Sequence, residues 1–170
     1  MLHWLDKLPR AWRGAAVRLG FNLHPSFRRT GGRVVRASHD LRFMRVRLSL
    51  TWSTRNVLGS LHGGALFSIT DGPHPIMLMS NLGRDYIVWD KFAAIRYRKP
   101  GYTALYADFV IDEAELQAIR AALETQPDLE RVYSIDIKDR HGTVYATVER
   151  TVYISNKTHY RQKTGTGDKT

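Results

Sequence analysis

The chain has 170 residues, 43% of them hydrophobic, and contains no cysteine. That combination favours one folded domain with room for a core, and it excludes wholesale disorder, disulfides, thiolate metal sites and a cysteine nucleophile. A cysteine-free composition also fits a cytoplasmic protein. The formal charge is +10, and all of it lies in residues 1–55, where 12 Lys/Arg face only Asp6 and Asp40. Residues 56–170 hold 14 residues of each sign. Such a cationic third can meet a phosphate-rich ligand, an anionic membrane or nucleic acid, or it can simply be a solvated face.

Residues 4–20 have the spacing of an amphipathic helix, with Trp4, Leu5, Leu8, Trp12, Ala15, Ala16 and Leu19 near a helical period. Lys7, Arg10, Arg13 and Arg18 decorate it, and no long apolar core is present, so a secretory leader is not expected. Residues 21–31 read as a turn-rich connection. Strands are expected at Gly32–Ala37 and Leu41–Leu50 around the polar tip Ser38-His39-Asp40. In the second, Met44, Val46, Leu48 and Leu50 alternate with Arg45, Arg47 and Ser49, as in a half-buried strand.

The least polar stretch is Leu61–Leu82. It is expected as a buried helix broken by Pro73 and Pro75 into Leu61–Asp71 and His74–Asn81. Further strands are expected at about 86–98, 103–111, 130–139 and 143–155. In the last, Val144, Ala146, Val148, Val152 and Ile154 share one face. Between them, 113–124 reads as a helix with Asp112 as N-cap and Glu115 completing a capping box. Residues 156–170 read as a polar, frayed tail. The whole is an α+β fold: an antiparallel sheet of about six strands around one buried helix, with an extra N-terminal helix. The division expected is 1–30, a basic amphipathic helix and connection; 31–155, the main domain; and 156–170, the tail.

Chemistry concentrates in 56–71. Gly63 and Gly64 open the buried helix, where first-turn amides have no intrahelical acceptor and can face a carbonyl oxygen gaining charge. The alternative is that the glycines only let the helix start close to the sheet, with His62 as its cap. Asp71 is a carboxylate on an apolar helix, expected to be buried and therefore paired or poised for proton transfer. In a continuous helix, the nine residues from His62 to Asp71 rise about 13.5 Å and turn about 900°, placing the two on opposite faces. They could then act together only across two subunits. Asp71 could equally be a cap for the second helical piece.

Asn56, His62-Gly63-Gly64 and Asp71, at intervals of six and nine residues, resemble the active-site segment of hotdog-fold acyl-CoA thioesterases. The likeness is to the small single-domain branch with an acid on the central helix. Ala94-Ile95-Arg96-Tyr97-Arg98-Lys99-Pro100-Gly101 resembles the strand that follows it in that family. The resemblance implies a homodimer or dimer of dimers that hydrolyses an acyl-CoA-type thioester at a site shared between subunits. It implies that the Gly63 amide polarises the carbonyl, that Asn56 and His62 position the site, and that Asp71 of the partner subunit is base or nucleophile. Coenzyme A enters only as part of the substrate, and Arg55, Arg96, Arg98 and Lys99 are the candidates for its phosphates.

Two features depart from that pattern. Gly72-Pro73-His74-Pro75 interrupts a helix that continues in most relatives, and Asp90 stands near a strand position where they carry Ser or Thr. Asp90 could raise one of two neighbouring pKa values, or Lys91 could neutralise it. His74 reads as a loop residue, or as a partner for Asp71. The alternative function is a non-catalytic hotdog module that binds acyl chains or acyl-CoA, peripheral at an anionic membrane through the basic N-terminal helix. The seven histidines show no metal-ligand spacing, and no metal or nucleic acid is expected.

Overall fold

The computed structural model describes residues 7–164, so Trp4 and Leu5 of the expected N-terminal helix and the end of the polar tail lie outside the described residues. In chain order the elements are α1 (Arg10–Leu23), α2 (Pro25–Arg29), β1 (Gly32–Ala37), β2 (Phe43–Leu48), α3 (Gly63–Ser68) and α4 (Pro73–Leu82). Then come β3 (Tyr86–Tyr97), β4 (Leu105–Val110), α5 (Glu113–Thr125), β5 (Asp128–Lys138), β6 (Val144–Asn156) and α6 (Lys157–Thr164). The strands form one sheet in the order β1-β2-β4-β5-β6-β3, each neighbouring pair antiparallel. This is the hotdog arrangement expected from the sequence.

Alternation dictates the inner face. Met44, Val46, Leu48, Leu105, Ala107, Phe109, Ile135, Ile137, Ala146, Val148, Val152 and Ile154 all point inward and are buried. They close on Leu66 and Ile69 at the α3 end and on Met77 and Leu78 of α4, while α5 adds Leu116 and Ile119. Each large side chain so buried stabilises the fold by about 1.5–3 kcal/mol. Asp112 caps α5 as expected, its Oδ1 accepting from the Glu115 N–H at 2.7 Å. Glu115 does not complete the box; its carboxylate takes Arg131 and the Tyr133 hydroxyl instead.

Five expectations are corrected. The central segment is shorter, with α3 ending at Ser68 and the chain turning through Gly72 at φ 96. Pro73 and Pro75 start α4 instead of breaking it, because their missing N–H groups fall in the first turn, where no acceptor is available. Nor is α3 apolar all round in its setting: Leu66 is buried, whereas His62 and Gly64 are exposed. The N-terminal helix starts at Arg10 after Pro9, and it packs on the domain through Gly14, Val17 and Phe21 together with Leu8 and Ala16 of the expected stripe, while Trp12 and Leu19 of that stripe stay exposed. Finally, 157–164 is helical although it has no apolar stripe. No described helix is long and apolar enough to cross a membrane.

Candidate active site

The start of α3 is set by a braced loop. Thr54 is buried, donates its hydroxyl proton to Ser49 O (2.6 Å), and accepts the His62 N–H on its carbonyl (2.8 Å). Asn56 folds the loop on itself: Oδ1 accepts from the Leu58 and Ser60 amides (2.9 and 3.1 Å), and Nδ2 donates to Ser60 Oγ (2.9 Å). Leu61 N–H then donates to Gly101 O (2.8 Å), which fixes the end of β3's connection beside the helix start. The His62 carbonyl accepts from Ala65 and Leu66 (3.0 and 3.1 Å), but its imidazole makes no capping bond. The ring instead lies against Gly64, where an added Cβ would sit 2.7 Å from Cε1. Gly63 is equally confined, because a Cβ there would meet the Tyr97 hydroxyl at 2.8 Å.

From that start, His62, Ala65 and Ser68 recur every three residues and face a cavity of about 370 Å³. Its other walls carry Arg29, Thr30, Ser53 and Arg55, so two guanidinium-bearing side chains flank the histidine. The Arg55 guanidinium stacks on the Trp52 ring at 4.2 Å.

A second constellation lies beyond the other end of α3. Arg150 points inward from β6, only 4% exposed, in the one polar position of the Val144–Ile154 stripe. A guanidinium buried there must be paired. Its Nε donates to Thr70 Oγ1 (3.0 Å) and Nη2 to Phe67 O (3.3 Å), and its Nη1 reaches both Asp90 Oδ2 (2.9 Å) and Asp71 Oδ1 (3.3 Å). The guanidinium also lies over the Phe67 ring at 5.1 Å. Asp90 is 13% exposed and its Oδ1 is buried without a hydrogen-bond partner. A register shift in β3 between Asp90 and Phe92 marks a bulge at the strand position that aims it inward. Burial pushes the Asp90 carboxyl up to about 6; Arg150 opposes that rise, and the neighbouring Asp71 carboxylate adds to it.

The sequence-derived residues therefore separate into groups. Asn56, His62, Gly63 and Arg55 come together at the α3 start, with Asn56 bracing the loop. Asp71 does not join them within one chain, and in the single chain it is not buried: its side chain is 71% exposed, above Arg150. The opposite-faces geometry assumed a continuous helix, whereas here the turn at Gly72 directs Asp71. Lys91 does not neutralise Asp90, since it pairs with Glu130. Arg96, Arg98 and Lys99 are exposed at the end of β3, and Arg98 and Lys99 engage Thr147 and Tyr145 of β6 instead of facing the cavity.

His74 is a buried member of α4, not a loop residue. Its ring stacks on Tyr133 (4.2 Å), meets Phe109 edge-on (5.1 Å), and leaves Nδ1 without a partner. Burial pushes its pKa down to about 4, so it is neutral near pH 7. Sequence reasoning missed Arg150, Arg29 and Tyr97. Only Arg150 left a signal, as a charge interrupting an alternating apolar stripe.

Among solved structures the chain is similar to several of the same fold class. PA5026 from Pseudomonas aeruginosa, a protein of unknown function named as a probable thioesterase, superimposes with a TM-score of 0.73 at 18% identity, covering 88% of this chain and 97% of that one. The Haemophilus influenzae thioesterase HI1161 gives 0.61 at 13% identity, over 81% and 87%. The E. coli PaaI protein from the phenylacetic acid degradation operon gives 0.59 at 19% identity, over 85% and 92%. These likenesses establish the hotdog fold. No curated protein matches the sequence significantly. Residues 15–154 match the domain of unknown function DUF4442, and the chain belongs to that family.

Proposed function

We propose that the protein hydrolyses an acyl-CoA-type thioester at a site completed by two copies of the chain. The observation that carries this reading is the division of the candidate groups. The Gly63 amide and His62 cavity lie at one end of α3, and the Arg150-held Asp71 lies exposed beyond the other. The thioesterases named above share the fold. The twelve-residue β3 supports dimerisation by sheet pairing, because among the described residues it ends the sheet with no strand on its outer edge and exposes Trp89, Phe92 and Tyr97.

In this reading the Gly63 N–H donates to the thioester carbonyl oxygen as it gains negative charge. Asp71 of the partner subunit takes a proton from water as the water oxygen bonds to the acyl carbon. The C–S bond then breaks, and the thiolate leaves with the proton that Asp71 returns. Arg150 is a positioning residue that fixes Asp71 through Nη1. Arg55 and Arg29 are the cations at the cavity suited to coenzyme A's phosphates. The test is thioester cleavage across acyl chain lengths by the parent, Asp71→Ala and His62→Ala. Loss of roughly 10²-fold or more is expected in the Asp71 variant, and equal rates in all three would overturn the reading.

One observation favours a second reading, a non-catalytic acyl-CoA-binding module. The Asp71 carboxylate is already engaged, its Oδ1 accepting from Arg150 Nη1 at 3.3 Å, so that oxygen is occupied within the chain. Tight acyl-CoA binding with no turnover by the parent would select this alternative.

A further inference from the structure

Helix α1 has two apolar faces, and only one is used by the fold. At about 100° per residue, Gly14, Val17 and Phe21 fall within an arc of about 60°. That arc lies on β1: a Cβ on Gly14 would meet Ala37 O and Ser38 O at 2.6 Å, and Val17 is buried. Trp12, Leu19 and Leu23 fall within an arc of about 40°, centred about 180° from the first. They are 67%, 58% and 59% exposed.

Charge identifies what would cover that face. From Lys7 to His39 there are eight Lys/Arg and no Asp or Glu. Arg18 on α1, about 120° round the helix from that face, Arg28 on α2 and Arg33 on β1 are exposed, whereas Arg10 falls on the sheet side of α1. A second copy docked by this face would bring two such cationic segments together, which electrostatics opposes. A nucleic acid would engage the arginines but leave three large apolar side chains in water. An anionic bilayer satisfies both features. The indole and leucines enter the boundary between headgroups and acyl chains, and the arginines meet lipid phosphates and serine carboxylates.

We infer that α1 is an interfacial anchor that docks the folded domain on an anionic lipid surface through Trp12, Leu19 and Leu23. The helix lies flat against its own sheet and is too short to span a bilayer, so α1 would rest on the membrane surface.

The experiment is co-sedimentation of the full chain with phosphatidylcholine vesicles, with and without phosphatidylserine, at low and high salt. The parent should bind the phosphatidylserine vesicles at low salt and be released by high salt. Trp12→Ser/Leu19→Ser/Leu23→Ser should bind roughly tenfold or more weakly, with an unchanged melting temperature because the three side chains are exposed. Arg18→Gln/Arg28→Gln should lose much of the preference for phosphatidylserine. Failure of the parent to bind either vesicle overturns the inference. So does equal binding by parent and triple variant. If the parent forms a higher oligomer that the triple variant dissolves, with no vesicle binding, the face belongs to a second copy; retention of an acidic protein alone would likewise refute the lipid assignment.

Discussion

The two edges of the sheet are finished in opposite ways. At the β1 edge, Asn22 of α1 supplies both a donor and an acceptor to Val34, Nδ2 to the carbonyl and Oδ1 from the N–H, each at 2.9 Å. Gly14 lets the helix lie directly on the end of that strand. At the β3 edge twelve residues run with no strand on their outer side among the described residues. A long unpaired edge is a template for another strand, and folds normally blunt it. In the proposed dimer the blunted edge is final and the open one takes the partner. The open side is also where Asp90, Asp71 and Arg150 meet.

The largest effect that could sharpen this contrast lies beside the open edge. Arg150→Met leaves the carboxyl of Asp90 buried without its cation and should destabilise the chain by about 3–5 kcal/mol in urea unfolding. Arg150→Met/Asp90→Asn should recover part of that loss, since the uncompensated charge is gone. No recovery would mean that packing against Phe67, not charge, accounts for the effect.

Next in size is a pair of opposed pH dependences. Asp90 is raised to about 6 in the fold, from an ordinary value of 3.8. The native state therefore holds its proton longer than the unfolded chain, and this contribution falls as pH rises from about 4 to about 6. His74 is lowered to about 4 from 6.5. The unfolded chain takes up that proton first, so this contribution grows as pH rises from about 4 to 6.5. Each slope approaches about 1.4 kcal/mol per pH unit at most, and the two offset in the parent. Asp90→Asn should show stability rising with pH in that window, and His74→Phe should show it falling. Two flat profiles would contradict both assignments.

At the closed edge, Asn22→Ala should cost about 1–3 kcal/mol by stranding the Val34 N–H and carbonyl. It should also make the chain more prone to associate through β1. The smallest stability change is expected at the open edge itself. Phe92→Lys should shift single-chain stability by less than about 0.5 kcal/mol, yet it should reduce the mass in sedimentation to that of a monomer. An unchanged mass would place the interface elsewhere.

These contrasts were unevenly legible in the sequence. Strict alternation placed the inward faces of β2 and β6, because period two leaves each residue only one side to face. The same alternation leaves Arg150 as a charge interrupting the stripe, a signal that went unread, and its partners 60 and 79–80 residues away could not be read locally. The N-terminal helix was legible as a helix but not in its orientation. Counting large apolar residues selects Trp12 and Leu19, whereas the sheet accepts the small, close-approaching face of Gly14. The central segment misled for a similar reason. Two prolines look like breakers until it is known that the turn at Gly72 places them in a first turn. Asp71's direction follows from that turn and not from helical arithmetic. Residues 157–164 have too few apolar residues for periodicity to reveal a helix.

The claim that everything else leans on is that one functional centre draws groups from two chains. It is tested most directly by mixing. Asp71→Ala and His62→Ala, each inactive alone, should regain about a quarter of the parent's thioester cleavage after subunit exchange, because a mixed dimer rebuilds one intact centre. Activity that stays at the level of the separate variants, in samples shown to contain mixed dimers, would contradict the account.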